Sequence, residues 1–441
     1  MSSLVDMRLE SNSKIKINFD GGDLSSDTGL FLLKEFIHKT GLDKVIGDIF
    51  KTNDPASYRH HKDNENLLQE IYQTIAGYFQ DDDADEFIND PVFNALLEKD
   101  GLASQPTMSR FFNRMDTDTL NQYEQIHQVM RKRIYSIENP SIVLLDIDST
   151  LFDTYGNQEG QAFNYHYSSN GYHPLLCYDG LTGDLLKAQL RDGNVYTSNG
   201  VVEFLKPLLS EYMDQYSSTN IYLRGDSGFA VPELFSLLEQ NACPYAIRLK
   251  ANNVLYKKAS YLSDELDDLT AINKVDYAVC YGEFNYRAGS WDYPRRVAVK
   301  VEKPTGQMTY MYTFIVTNMD LKPRGLIKFY SNRGRMENFI KESKNGFSFS
   351  SMSSSNKIVN ANRLQISMLA YNIFNWLRRL ALPAKMRKYQ IDTIRLKLIK
   401  IASRIVRSAR YLTFKLCSSC PYKKEFYKIL ENISKLQLKF E

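Results

Sequence analysis

Tyr330, Arg333, Glu337 and Lys344 stand in the pattern Y-x2-R-x3-E-x6-K within KFYSNRGRMENFIKESKNG. On a helix at 100° per residue the four fall within about 60° of one another, on one stripe. A single carboxylate is thereby flanked by two cations and a phenol. The carboxylate suits a metal ion, and the other three groups suit phosphate oxygens. A solvated helix with i,i+4 ion pairs produces the same pattern, so the stripe needs further carboxylates before it counts as a site.

Two apolar runs supply them. Asp148 ends LLDIDST and Asp226 ends YLRGDSG, each as the acid at the end of a predicted strand. In open sheets chemistry gathers beyond strand ends, although a lone Asp there also serves to cap the next turn. Together Asp148, Asp226 and Glu337 are able to hold two Mg2+ ions about 3.5–4 Å apart for in-line phosphoryl transfer. Such ions take hard oxygen ligands and need neither His nor Cys. Asp146 shares the strand face of Asp148 and stays the alternative first ligand; Asp148 is preferred because it lies nearer the strand end. Glu342 lies about 120° off the stripe, which leaves Glu337. The six histidines form no His-Glu-x-x-His pattern, and no phosphate-binding glycine loop is present.

The elements that must position these residues follow from periodicity. Residues 1–140 are mainly helical, with apolar residues at three- and four-residue spacing. Within them SQPTMSRFFNRM predicts a helix presenting Ser109, Arg110, Asn113 and Arg114, a candidate recognition helix or an ordinary structural hairpin. From residue 141 the order strand, strand, strand, helix, strand, helix, strand describes a mixed sheet, begun by a meander and completed by crossovers. Residues 251–320, rich in β-branched and aromatic residues, predict an all-β insertion. Residues 321–377 carry the Glu337 helix and an apolar helix that completes the core. In 378–441, a predicted helical region, Arg404, Arg407 and Arg410 recur every third residue.

Charge is distributed unevenly. The chain has 441 residues and a net charge of +3, but residues 378–441 hold seventeen Lys or Arg against four Asp or Glu, a local +13. The remainder carries −10. A basic tail on a near-neutral protein fits a polyanionic partner, or else a lysine-rich solvated helix. No apolar run reaches the roughly 18 residues that span a bilayer, and MSSLVDMRLESNSK lacks the apolar core of a signal peptide. Five scattered cysteines suit the reducing cytoplasm, and Cys417-Ser-Ser-Cys420 lacks the second pair or nearby His of a zinc site.

The order Asp148, Asp226, β-rich segment, Y-R-E-K helix resembles the DDE transposases of bacterial insertion sequences, built on an α/β ribonuclease-H-like catalytic core. More narrowly, DIDSTLFDTYGNQEG, GYHPLLCYDG, RGDSGFAVPELF and FYSNRGRMENFIKE resemble the insertion sequence 1380 group, as do the lead-in segments GYFQDDDADEFINDPVF and SQPTMSRFFNRM. The resemblance covers nearly the whole chain. It implies cut-and-paste transposition, in which the enzyme nicks at the element ends and joins the 3′-hydroxyls to target DNA. Asp148, Asp226 and Glu337 would then be the ligands of two Mg2+ ions, with Mn2+ substituting. Tyr330, Arg333 and Lys344 would bind phosphates near the scissile bond. Trp291, in AGSWDYPRR, would stack on an extruded base. Arg110, Arg404, Arg407 and Arg410 are the further DNA-binding candidates. The implied partners are double-stranded DNA, as terminal inverted repeats and target, and a second copy in a synaptic homodimer within a bacterial cytoplasm.

Five segments are expected on this basis: a helical DNA-binding or oligomerisation domain (1–140), the first part of the core (141–250), the β insertion (251–320), the remainder of the core (321–377) and the basic helical region (378–441). Two other functions fit the same acids: a ribonuclease-H-like nuclease or resolvase that cuts without joining, and a non-catalytic DNA-binding regulator.

Overall fold

The computed structural model describes residues 7–216, 218–273, 277–307 and 309–438. It divides into two compact units. One holds the chain up to Ile137, Asn345–Ser348 and the chain from Gln365 onward; the other holds Glu138–Lys344 and Phe349–Leu364.

The second unit is built on an eight-stranded mixed sheet. Its strands run in the order Ala278–Tyr286, Arg295–Lys303, Met311–Thr317, Tyr245–Leu249, Asn220–Gly225, Ile142–Ser149, Leu175–Asp179, Leu185–Gln189. Val143, Leu144, Leu145 and Ile147 are buried, as an unbroken apolar run requires when both sheet faces are covered. Ile142–Ser149 pairs in parallel with Asn220–Gly225, which pairs in parallel with Tyr245–Leu249. Helices Val201–Gln215 and Pro232–Gln240 provide the crossovers that parallel pairing demands. On the other side Leu175–Asp179 and Leu185–Gln189 form an antiparallel meander. Its turn is too short for a crossover and is held by Asp179, which accepts from Leu181 N (3.0 Å) and Thr182 Oγ1 (2.6 Å). The mixed sheet, meander first, is the arrangement the strand order predicts.

Residues 251–320 correct the sequence reading. They are not all-β: Asn253–Asn273 is a helix, and the three strands that follow extend the main sheet rather than forming a separate layer. The helix has a physical basis in Leu255, Ala259, Leu262 and Leu266, all buried at three- and four-residue spacing. A further element, a small sheet of Phe152–Asp153, Ser169–Tyr172 and Ala162–Asn164, lies between the first strand and the meander.

In the first unit seven helices between Leu30 and Glu138 bury Leu30, Leu33, Phe36, Leu67, Ile71, Phe93, Phe111 and Ile126. The C-terminal region joins the same core and corrects the expectation of an all-helical tail. Ser403–Arg407 and Leu412–Leu416 form a β-hairpin, and Leu24–Ser25 pairs with its first strand. Ile405, Val406 and Thr413 are β-branched and favour this conformation; helix is retained at Ile391–Ile394 and Lys423–Ser434. Gly29 packs so closely here that a Cβ would lie 1.7 Å from the Leu398 carbonyl oxygen.

Candidate active site

Asp148 is the last acid of the central strand, and Asp226 directly follows the parallel neighbour Asn220–Gly225. Parallel pairing in register, Leu145 opposite Leu223 and Asp146 opposite Arg224, brings both carboxylates to one end of the sheet. The Asp148 side chain is 18% exposed, and its Oδ1 accepts from Ser149 N at 2.9 Å. Asp226 opens a tight turn at Ser227–Phe229 by accepting from Gly228 N at 2.8 Å.

Arg333 pairs with the first of these acids. Its Nη2 lies 3.2 Å from Asp148 Oδ1 and donates to the Ile147 carbonyl at 2.9 Å. Burial pushes the Asp148 carboxyl up to about 6; Arg333 pulls it down and the Asp226 charge pushes it further up. Burial works against the charge of Arg333, but Asp148, Tyr330, Asp226 and Asp146 outweigh it and leave its pKa raised. Tyr330 is raised by burial and feels Arg333, Arg248, Asp226 and Asp148, so its phenol stays a proton donor. Lys344 Nζ donates to Thr150 Oγ1 (2.7 Å) and the Leu151 carbonyl (2.8 Å), just beyond the Asp148 strand.

The predicted stripe is broken locally. Helix Pro323–Ser331 ends near Tyr330, a tight turn spans Asn332–Gly334, and helix Arg335–Phe347 carries Glu337 and Lys344. Glu337 is exposed in the first turn of that helix. Seven residues separate it from Lys344, which puts both on one face, and Lys344 reaches the segment that follows Asp148. Met336 and Ile340 are buried and Phe339 packs on Tyr178, which fixes the helix to the sheet. Among the described residues no three His, Cys, Asp or Glu side chains gather as a metal group, so Glu337 stands apart from the aspartate pair. That pair nonetheless fits a divalent cation. Two hard-oxygen donors share one half-buried end of the sheet, and the Asp226 charge adds to the cost of ionising Asp148, a cost that a divalent cation would relieve. The buried Nε of Arg333, a donor without a hydrogen-bond partner, suits a phosphate oxygen instead.

Asp146 has other work. It forms a two-pronged buried pair with Arg224, Oδ1 to Nε at 2.7 Å and Oδ2 to Nη2 at 2.6 Å. Arg224 Nη1 also donates to the Phe329 carbonyl at 2.7 Å, tying the Tyr330 helix to the sheet. Trp291 is only 3% exposed, with Phe235 and Tyr286 edge-to-face against it and the Arg295 guanidinium over its ring. In this structure it is a core residue and offers no face to a base.

Three residues were not singled out from the sequence. Arg191, buried, donates from Nη2 to Ser149 Oγ (2.9 Å) and from Nη1 to the Thr197 and Asn199 carbonyls (3.1 and 2.7 Å). It thus secures the strand end beside Asp148. Tyr167 Oη donates to the Ser149 carbonyl at 3.3 Å, and exposed Arg248 adds a cation beside Tyr330. Only Arg248, in the strand PYAIRLKAN, had a signal: a charge interrupting an apolar run.

The other DNA-binding candidates belong to the first unit. Arg110 is exposed on helix Gln105–Asn113 and donates to Thr107 Oγ1 at 3.2 Å, whereas Met108, Phe111 and Phe112 are buried. Arg114 pairs with Asp63 at 2.9 Å and Asp54 at 3.3 Å. Arg404, Arg407 and Arg410 are all exposed on the C-terminal hairpin.

A mixed sheet carrying acids at the ends of adjacent parallel strands defines the class of an α/β protein whose polar site lies at the strand ends. Comparison with known families narrows it. The family described as transposase DDE domain group 1 matches residues 7–438, and the chain belongs to that family. A search of curated proteins found no match. Among solved structures the chain is similar to the piggyBac transposase in its synaptic complex with hairpin DNA, determined by cryo-electron microscopy. The two are 13% identical over 85% of this chain and 80% of that one, with a TM-score of 0.39.

Proposed function

We propose that this transposase binds the terminal inverted repeats of an insertion sequence of the 1380 group. It cuts DNA at those ends and joins the 3′-hydroxyls to a target, working as a homodimer. Asp148, Asp226 and Glu337 would hold two Mg2+ ions, or Mn2+ in their place. The observation that carries this reading is the half-buried Asp148–Asp226 end of two parallel strands, with Arg333 3.2 Å from Asp148. The strand order Leu185–Gln189, Leu175–Asp179, Ile142–Ser149, Asn220–Gly225, Tyr245–Leu249 supports a ribonuclease-H-like core.

When bound, such ions lower the pKa of the attacking hydroxyl and stabilise the leaving oxygen. The protein's own groups do the positioning. Arg333, now neutralising Asp148, and Lys344 supply charge to the phosphate that spans the strand end. The protonated Tyr330 phenol donates a hydrogen bond to it. Arg224 and Arg191 keep the two strand ends and the Tyr330 helix in place by their hydrogen bonds to carbonyls.

Asp226→Asn and Glu337→Gln are expected to abolish Mg2+-dependent cleavage of terminal-repeat DNA while changing its Kd by less than about threefold, since neither removes a cation. Strand transfer retained by either variant would refute the ligand assignment. A pre-nicked end with a free 3′-hydroxyl separates the transposase from a nuclease, because only the former inserts it into a plasmid.

A further inference from the structure

Cys417-Ser-Ser-Cys420 is a motif that the transposition chemistry leaves unused. The four residues form a turn, in which Cys420 N donates to the Cys417 carbonyl at 3.2 Å. A turn closed in this way keeps its first and fourth Cα atoms within about 7 Å, and a disulfide spans about 4.4–6.8 Å. Both residues are thiols, Cys417 exposed and Cys420 half-buried. The other three cysteines, Cys177, Cys243 and Cys280, are buried, and burial pushes the Cys243 thiol up to about 12. A reagent in solution therefore meets Cys417 first.

Cys417 is also the thiol whose surroundings favour reaction. Its Sγ lies 3.1 Å from Ser419 Oγ. That hydroxyl, with the Ser419 and Cys420 N–H groups, holds the thiol below its ordinary value against a small opposing effect of burial. The segment around it is cationic: residues 403–424 contain six Lys or Arg and no Asp or Glu. Cations favour the thiolate and attract an anionic reagent. Position gives the pair a task. Cys417 N donates to the Ala402 carbonyl at 2.9 Å, just beyond the pairing of Ser403 with Leu416. This is the open end of the hairpin that displays Arg404 and Arg407. Cys420 stands three residues before helix Lys423–Ser434, whose Phe426, Ile429 and Ile433 are buried. A bond between the two sulfurs would fix the turn that joins the hairpin to an anchored helix.

We propose that Cys417 and Cys420 form a thiol–disulfide exchange site for an anionic low-molecular-weight disulfide, and that its oxidised form clamps the open end of the hairpin. The Cys417 thiolate attacks one sulfur of the reagent, forming a mixed disulfide and expelling one thiolate. Cys420 then loses its proton to solvent and attacks Cys417 Sγ, which closes the ring and expels the second thiolate. Two protein thiols are oxidised and the reagent is reduced to two thiols, so the exchange balances. An excess of the small thiol reverses it. The site uses neither metal nor DNA, so it stands apart from the DNA-end reading.

The test incubates the reduced full chain with oxidised glutathione at neutral pH and reads intact mass and alkylated peptides. Wild type should lose both alkylatable thiols of the Cys417–Cys420 peptide and retain no glutathionyl group. Cys420→Ser should stop with a glutathionyl group on Cys417, and Cys417→Ser should react about tenfold more slowly. Amides of Leu412–Leu416 should exchange about threefold more slowly in the oxidised wild type than in the reduced protein. Because neither thiol is in the core, the serine variants are expected to fold, which far-ultraviolet circular dichroism checks. A glutathionyl group that persists on wild type, equal rates for the two variants, or first reaction at Cys177, Cys243 or Cys280 each overturns the exchange site, as does no reaction with excess reagent. Unchanged exchange in Leu412–Leu416 overturns the clamp.

Discussion

Asp146 and Asp148 sit two residues apart on one strand, and their surroundings give them opposite tasks. Asp146 is enclosed with Arg224 in a pair whose members are 0% and 2% exposed. Removing the carboxylate strands a buried guanidinium, which costs about 3–5 kcal/mol. Asp146→Asn should therefore lower the urea midpoint of unfolding by that equivalent, and a midpoint within error of wild type would contradict the pairing. Asp148→Asn should behave differently. With its folded pKa raised from 3.8 to about 6, Asp148 keeps a proton between those values that the unfolded chain has lost. Stability of the metal-free protein therefore falls as pH rises through that window. The Asn variant removes this slope, so its stability should fall less steeply than wild type, by up to one proton between about pH 4 and 6. Parallel curves for the two proteins would show that Asp148 is not held neutral by its site.

The C-terminal hairpin shows what an element adds to a charge count. A spacing of three reads as a helix stripe, but on a strand it turns Arg404 and Arg407 to opposite faces, with Arg410 in the turn that follows. A narrow ribbon with cations on both faces and no acid from Ser403 to Leu416 suits a groove between two phosphate rows. Replacing all three arginines by Ala should weaken DNA binding uniformly across sequences. It should also reduce the salt dependence of log K by about 0.9 for each phosphate that is no longer neutralised. Single-turnover cleavage at saturating DNA should be unchanged; a slope equal to wild type would remove the hairpin from the interface. The sequence made Asp148, Asp226 and the Arg333–Lys344 segment legible because apolar runs end where strands end and helix spacing is local. It hid the tail hairpin because strand pairing depends on a partner, Leu24–Ser25, almost the whole chain away. The burial of Trp291 was hidden for the same reason, since Phe235 and Arg295 are assembled around it only by the fold. Helix Asn253–Asn273 was legible in Leu255, Ala259, Leu262 and Leu266, but the strand-rich sequence after it dominated the reading of that segment.

At the scale of the molecule, the first unit is closed by residues from both ends of the chain. Asp27, nearly fully buried, pairs with Lys400 at 2.6 Å and accepts from Tyr78 Oη at 2.8 Å. Thr28 Oγ1 donates to Ser403 Oγ at 2.5 Å, and Phe31 meets Phe414 edge-to-face with centroids 4.7 Å apart. Arg395 donates to the Ile75 and Thr74 carbonyls at 2.7 and 3.1 Å, satisfying the end of helix Asp63–Ala76. The N-terminal helices thus take part of their core and one helix cap from the basic tail, and the two should fold as one cooperative body. A chain ending at Leu382 is expected to lose hydrogen-exchange protection in Leu30–Thr40 and Asp63–Ala76 while keeping it in Ile142–Ser149 and Asn220–Gly225. Gly29→Ala gives the same test without truncation: its Cβ would overlap the Leu398 carbonyl, and the forced shift should cost about 2 kcal/mol, read in the same N-terminal amides. Full protection of those amides in both variants would mean that the N-terminal helices are stable without the tail, and the two would then have to be treated as separate domains.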